Sequence, residues 1–227
     1  MDTIRISECR LRLARKVRAH EAPQLRGFFG RKFEDEVLMH NHRPDGEPIY
    51  QYPRVQFKVL DSSAVLMGIN EGSDLLQRLW LDIDQTKLGD EELGVLEAQF
   101  ETRDEELHVT TEPMEYRFVT PWLALNQKNF RSYVGSRNQG FRKDELSRIL
   151  VGNCLGLAKS LGIRFQDRIA ADCRGLTSIK TKLKGKGMIG FVGKFSVNLK
   201  IPEYIGLGKS VSRGFGTIEK SNSEVGG

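Results

Sequence analysis

Eleven residues near the C-terminus constrain this chain more than any other stretch: Gly206-Leu207-Gly208-Lys209-Ser210-Val211-Ser212-Arg213-Gly214-Phe215-Gly216. Two Gly-x-Gly pairs bracket a basic, hydroxyl-rich centre and lie between apolar runs that read as strands. Glycine tolerates positive φ and carries no Cβ, so such a loop can bring its backbone N–H groups close to a phosphate. Lys209 and Arg213 add neutralising charge, and Ser210 and Ser212 add hydroxyls. A lone Gly-x-Gly reads more simply as a turn with solvated charges; the doubled pair with two cations favours an anion-binding loop. Two familiar phosphate loops are excluded. A P-loop needs a glycine five residues before Gly208-Lys209-Ser210, where Glu203 stands. The dinucleotide fingerprint needs a third glycine where Val211 stands, followed by a long helix that the remaining sequence has no room to supply.

The 227 residues are enough for one large domain or two small ones. The chain carries 35 Lys+Arg against 30 Asp+Glu, a net charge of +5. This modest excess suits a polyanion partner and equally an ordinary basic protein, so its distribution matters more. From 164 to 213, Arg164, Arg168, Arg174, Lys180, Lys182, Lys184, Lys186, Lys194, Lys200, Lys209 and Arg213 face only Asp167, Asp172 and Glu203. From 82 to 106 the balance reverses, with Lys87 and Arg103 as the only cations in an acidic run. The first region suits RNA, and the second is expected to face away from it. Cys9, Cys154 and Cys173 are scattered, which indicates neither a disulfide framework nor a zinc site. No apolar run approaches the roughly 18 residues of a membrane span, and the first residues lack a signal-peptide core. A cytoplasmic protein with no membrane partner, metal or cofactor is expected.

Hydrophobic periodicity divides the chain into two similar halves, 1–112 and 113–227. Ile4, Ile6, Leu11 and Leu13 predict an opening strand, and Pro23 begins a helix with Leu25, Phe28, Phe29, Phe33 and Val37 on one face. Strands are expected over 50–60 and 64–70 around the turn Asp61-Ser62-Ser63, then a short helix opened by Ser73 and another strand within 91–110. This is the βαββαβ ferredoxin-like order. In the second half a strand at Tyr116, Phe118 and Val119 precedes a loop rich in Asn, Gln and Arg. Asp144 is expected to cap a helix that stops at Gly162. Strands follow over 163–169, 176–183, 188–201 and 215–219, with the glycine-rich loop where a second helix belongs. The expected fold class is α+β, two tandem ferredoxin-like domains.

Two of the four histidines, His40 and His42, fall within three residues, ahead of Tyr50 and Tyr52. Histidine titrates near neutrality, so it can take a proton in one step and return it in another. On spacing alone, a catalytic pair and a polar surface loop are equally good readings. His20 and His108 lack neighbours of matching chemistry and read as ordinary strand or loop residues.

The C-terminal pattern, Gly-hydrophobic-Gly, five residues, Gly-hydrophobic-Gly, resembles the glycine-rich loop of the RAMP superfamily, the RNA-binding proteins of CRISPR systems. Within it the chain resembles the repeat-cleaving endoribonucleases that mature CRISPR RNA. A subgroup of these has a basic residue on the first helix, a His-x-His pair, then a tyrosine and a Tyr-Pro-x-hydrophobic-Gln-aromatic-Lys strand. This sequence matches at Lys32, His40, His42, Tyr50 and Tyr52-Pro53-Arg54-Val55-Gln56-Phe57-Lys58. The resemblance implies tandem ferredoxin-like domains and metal-independent cleavage of CRISPR repeat RNA. In that chemistry the RNA 2′-OH attacks, leaving a 2′,3′-cyclic phosphate and a 5′-OH. His42 and His40 would exchange the protons, Lys32 would stabilise the phosphate and Tyr50 would position the substrate.

Candidate RNA-binding residues are Gly206, Gly208, Lys209, Ser210, Ser212, Arg213, Gly214 and Gly216. Lys180, Lys182 and Lys184 join them as an alternating ridge on one strand face, with edge-strand lysines that discourage aggregation as the equal alternative. Arg131 and Arg142 come from the basic, aromatic loop before the second-half helix. Two other readings stay open: a non-catalytic RAMP subunit holding guide RNA with further subunits of an effector complex, and a general RNA-binding tandem ferredoxin-like protein. A homodimer fits the resemblance as well.

Overall fold

A computed structural model describes residues 2–40 and 51–221. The chain divides into two compact units, Thr3–Glu105 with Val211–Gly214, and Met1–Asp2 with Glu106–Ser210 and Phe215–Gly227. Residue 112 lies inside a continuous strand, His108–Trp122.

The first unit runs β1 (Thr3–Leu13), α1 (Ala22–Lys32), α2 (Val37–His40), β2 (Val55–Leu60), β3 (Ser63–Ile69), α3 (Glu71–Leu79), β4 (Gln85–Leu88) and β5 (Glu91–Glu106). Its sheet order is β2-β3-β1-β5-β4, the ferredoxin-like arrangement with β4 added as an edge hairpin strand. Leu60 pairs with Ser63 across a two-residue turn in which Asp61 and Ser62 both take positive φ, the twist a tight hairpin needs. Alternation along β2 sends Val55, Phe57 and Val59 into a core with Leu25 and Phe29 of α1 and Leu75 and Leu76 of α3. Phe29 stacks on Phe57 at 6.0 Å.

The apolar stripe predicted one helix through Val37, whereas α1 stops at Lys32. Phe33 leaves helical geometry (φ −120°, ψ 55°) yet stays stacked on Phe29 at 6.4 Å, so apolar spacing persists across a chain reversal. The chain re-enters as α2, which lies against α1 at Gly30, where a Cβ would sit 3.4 Å from the His40 Cβ.

The second unit runs β6 (His108–Trp122), α4 (Gln127–Gly135), α5 (Gln139–Ser160), β7 (Ala171–Asp172), β8 (Leu176–Leu183), β9 (Lys186–Lys200) and β10 (Ile218–Lys220). Its sheet order is β10-β6-β9-β7, with β8 also paired to β9. The β8–β9 turn again uses two positive-φ residues, Lys184 and Gly185. The core joins Tyr116, Phe118 and Trp122 of β6 to Phe191 and Phe195 of β9 and to Leu146, Leu150, Cys154 and Leu157 of α5. Phe118 stacks on Trp122 at 5.1 Å, and Trp122 Nε1 donates to Asn153 Oδ1 at 3.0 Å.

Three expectations here are corrected. The polar loop after β6 contains α4, capped by Asn126, whose side chain accepts from Asn129 N at 2.8 Å. The cap of α5 is Asn138, accepting from Phe141 N, and Asp144 lies inside the helix. Residues 163–169 form no strand: Asn198 takes over the neighbouring backbone instead, accepting from Ala170 N and donating to Arg168 O.

Candidate active site

Lys32 ends α1, and its ammonium donates to Asp82 O at 2.6 Å and Asp84 Oδ1 at 2.7 Å. The hydrogen bond from Lys32 holds the Asp84 carboxyl below the usual carboxylate range. Two of the three Lys32 N–H groups are thereby engaged.

His40 closes α2. Its Nε2 lies 2.9 Å from Glu34 O, the carbonyl in the turn between α1 and α2. With Nε2–H donating there, Nδ1 is the acceptor. His42 and Tyr50 lie outside the described residues.

Sequence reasoning missed Arg26. It stands one turn before Gly30 on α1, and its Nη2 donates to the His40 carbonyl at 2.6 Å, tying α1 to the histidine segment. Its Nε is buried without a hydrogen-bond partner among the described residues. Burial and then the Arg213 guanidinium push the Arg26 pKa down, and burial does the same to Arg213. Neither arginine forms a salt bridge among the described residues. Two partly buried guanidiniums close enough to repel, one of them bonded to the His40 carbonyl, form a site that an incoming anion would relieve. A helical arginine gives no such signal in sequence, because its neighbour Arg213 is far along the chain.

Arg213 reaches this place because Val211–Gly214 belongs to the first unit and forms a tight 3-10 turn against α1 and β2. A Cβ on Gly214 would lie 2.8 Å from Ala22 Cβ and 3.1 Å from Phe57 O. The flanking glycines belong to the second unit and are equally packed. A Cβ on Gly208 would meet Trp122 Nε1 at 2.5 Å, and one on Gly216 would meet Leu207 O at 2.0 Å.

The expectation of an open phosphate cradle needs correction. The N–H groups of Leu207, Lys209, Gly214 and Gly216 already donate to Gly216 O, Leu123 O, Val211 O and Pro121 O. Gly206, Ser212, Gly214 and Gly216 are buried, and Ser210 takes positive φ. The glycines chiefly permit close packing, and the loop contributes cations. Lys209 Nζ donates to Leu125 O at 2.8 Å, and burial pushes its pKa below the ordinary lysine value.

The remaining candidates divide. Lys180 and Lys182 are exposed on β8, but Lys184 sits in the turn beyond it and so is off the strand face. Arg131 is exposed on α4. Arg142 is occupied: its Nε donates to Tyr133 O at 3.0 Å, and its guanidinium lies 5.2 Å from the Tyr133 ring centroid, which secures the C-terminal end of α4.

Lys58 is a further unforeseen feature. It is fully buried, and burial pushes its pKa down to about 7, opposed by Glu8. Its Nζ donates to Gln56 Oε1 at 2.9 Å, and Gln56 Nε2 donates to Tyr52 OH at 2.8 Å. The matched strand motif is thus a hydrogen-bond chain. The central-strand aromatics Tyr116, Phe118, Phe191 and Phe195 are core residues, unlike the exposed stacking platform of an RRM.

Two ferredoxin-like units, the second with a glycine-rich turn in place of its second helix and the first carrying the histidine segment, make up a RAMP-type protein. A family model described as the Cas6b N-terminal domain matches residues 2–106, and one described as the Cas6b C-terminal domain matches residues 108–221. The chain belongs to the Cas6b family. A crystal structure of Cas6b is similar at TM-score 0.90 and 31% identity, covering 97% of this chain and 100% of that one. A crystal structure of CRISPR RNA processing endoribonuclease Cas6b is similar at TM-score 0.78 and 29% identity, with the same coverage of both chains. Uncharacterized protein MJ0978 of Methanocaldococcus jannaschii is 36% identical over 138 residues, 61% of this chain and 93% of that protein.

Proposed function

We propose that this chain makes guide RNAs by cutting CRISPR precursor RNA within its repeats, without a metal, using the RNA's own 2′-OH as nucleophile. As a Cas6b-family member it is a CRISPR RNA-processing endoribonuclease that binds CRISPR RNA. In the proposed step the O2′–P bond forms while the P–O5′ bond breaks. One histidine removes the 2′ proton, and an acid returns a proton to the departing 5′ oxygen. The products are a 2′,3′-cyclic phosphate and a 5′-OH. His42 and His40 are the proton carriers, Lys32 and Arg26 stabilise charge on the phosphate, and Tyr50 orients the substrate.

The observation that carries this reading is the Arg26 guanidinium, bonded to the His40 carbonyl and close enough to Arg213 to feel its charge, with neither arginine paired to a carboxylate among the described residues. General acid-base catalysis supplies roughly 10²–10⁴-fold, so positioned cations are needed for the rest. The glycine-loop cations Lys209 and Arg213, with Lys180, Lys182 and Arg131, hold the RNA backbone, and Lys184 and Arg142 contribute less. No helix among the described residues is long and apolar enough to cross a membrane. The cytoplasm is the proposed location, with effector subunits and a second copy of the chain as partners.

The test is cleavage of a labelled CRISPR-repeat RNA from the same genome in excess EDTA, comparing wild type with His40→Ala/His42→Ala. Site-specific cutting by wild type alone, abolished by a 2′-deoxy substitution at the scissile nucleotide, supports the mechanism. Cutting that survives the 2′-deoxy substitution overturns it. Binding without cutting by both proteins favours the non-catalytic subunit.

A further inference from the structure

Helix α4 is surplus to the ferredoxin-like layout, and its own residues explain little of its presence. None of its nine residues is buried, and Phe130 and Val134 are 44% and 47% exposed. Phe130 of α4 borders an apolar cavity of about 380 Å³ lined also by Leu125, Met188 and Ile189, with Lys180 and Lys182 at its wall. Lys180 pairs with Ile189 and Lys182 with Gly187, so the β8–β9 hairpin sets both cations beside the apolar floor. A second, polar cavity of about 810 Å³ is lined by Asn126, Gln127, Lys128, Arg131, Ser132 and Lys209.

Among the described residues, neither cavity has a carboxylate in its lining. None of Lys128, Arg131, Lys180, Lys182 and Lys209 forms a salt bridge among the described residues. Glu145, which feels the Lys128 charge, is itself paired with Arg148. An apolar slot with an aromatic edge and two cations at its wall, with a second, cation-lined cavity on the same helix and no acidic partners for these cations among the described residues, complements one kind of ligand. That ligand is flat and apolar at its centre and anionic on either side.

We propose that α4 and the β8–β9 hairpin bind one unpaired nucleotide of single-stranded RNA. Its base stacks on Phe130 in the apolar cavity, one neighbouring phosphate lies on Lys180 and Lys182, and the other lies on Lys128, Arg131 and Lys209. Aromatic stacking serves any base, because every base has a π face, and the cations follow the backbone. The inference rests on the reading of the chain as an RNA-processing enzyme. It adds a site for RNA in the second unit, built from different residues from the His40 segment. Helix α4 carries Phe130, and its C-terminal end is secured by Arg142.

The test uses the full chain and a labelled repeat RNA, with affinity read by fluorescence polarisation over a salt series. Phe130→Ala is expected to weaken binding on the order of tenfold, and Phe130→Tyr to restore it. An abasic substitution moved along the RNA is expected to reproduce that loss at one position in wild type and to cost nothing there in Phe130→Ala. Lys180→Met/Lys182→Met is expected to weaken binding and flatten its salt dependence. Unchanged affinity of Phe130→Ala, with wild type binding well, overturns this site while leaving the nuclease reading intact. A Phe130→Ala that instead loses self-association in sedimentation also overturns it, in favour of a second copy on this face. No RNA binding by wild type overturns both readings together.

Discussion

The two units share an architecture and differ at one crossover. Each has a tight hairpin made by two positive-φ residues, Asp61-Ser62 in one and Lys184-Gly185 in the other. After the hairpin the first unit places α3, whose Leu75 and Leu76 enter the core. The second places the glycine-rich turn there. Both crossovers depend on glycines where a Cβ could not fit: one on Gly72 would lie 2.1 Å from Arg54 O, and one on Gly216 would lie 2.0 Å from Leu207 O. A helix at this position can bury leucines but fixes its polar groups along its own axis. A glycine-rich turn packs as tightly while presenting Lys209 and Arg213 at chosen points. In the second unit a glycine-rich turn stands where the first has a helix, and its Val211–Gly214 segment packs with the first unit.

The comparison breaks most severely at Gly216. Gly216→Ala puts a Cβ into a carbonyl at φ +64° and is expected to destabilise by about 3 kcal/mol or more in urea unfolding. A loss below about 1 kcal/mol would mean that the turn is loose and an open cradle after all.

Arg26→Met tests whether the charge presented by the turn serves chemistry. Cleavage is expected to fall on the order of 10²-fold, with little change in the unfolding midpoint, because a like-charge contact is removed along with the His40 hydrogen bond. An unfolding loss that accounts for the lost activity would assign Arg26 a purely structural role.

Lys58 sharpens the contrast from the first unit. Its pKa is about 7 in the folded chain against an ordinary value of 10.5, so the folded state binds fewer protons between these limits. Stability therefore rises with pH across that window and is lowest below its lower end. The unfolding free energy of wild type minus that of Lys58→Met should climb between these limits by at most about 1.4 kcal/mol per pH unit. A flat difference would show an ammonium with ordinary proton affinity.

The smallest effect is expected from Gly152→Ala on α5, where a Cβ would meet nothing within 4 Å. This change should stabilise by about 0.5–1 kcal/mol, the opposite sign to Gly216→Ala. A destabilisation would point to a contact for this helix face in solution.

Element order was legible because it is written in local signals. The alternation of Val55, Phe57 and Val59 announced β2, the stripe of Leu146, Leu150, Cys154 and Leu157 announced α5, and Gly162, with φ +76°, marked its end. The glycine loop was legible as a feature but not as a packed one. Its glycines read alike whether the missing Cβ makes room for a phosphate or for Leu207 O. Lys32 and His40 were singled out through the family resemblance and the local histidine pair, whereas no local pattern singled out Arg26.

By itself, the sequence determined two ferredoxin-like units, a glycine turn in place of a helix and a histidine segment after the first helix. These follow from side-chain periodicity and backbone permission, which act over a few residues. Only the tertiary structure decided that α1 stops at Lys32, that Lys32 is held by Asp84, that Lys58 is fully buried and that Arg213 stands by Arg26. Each of these depends on the low dielectric and close distances created when remote segments meet, and no local pattern carries that information.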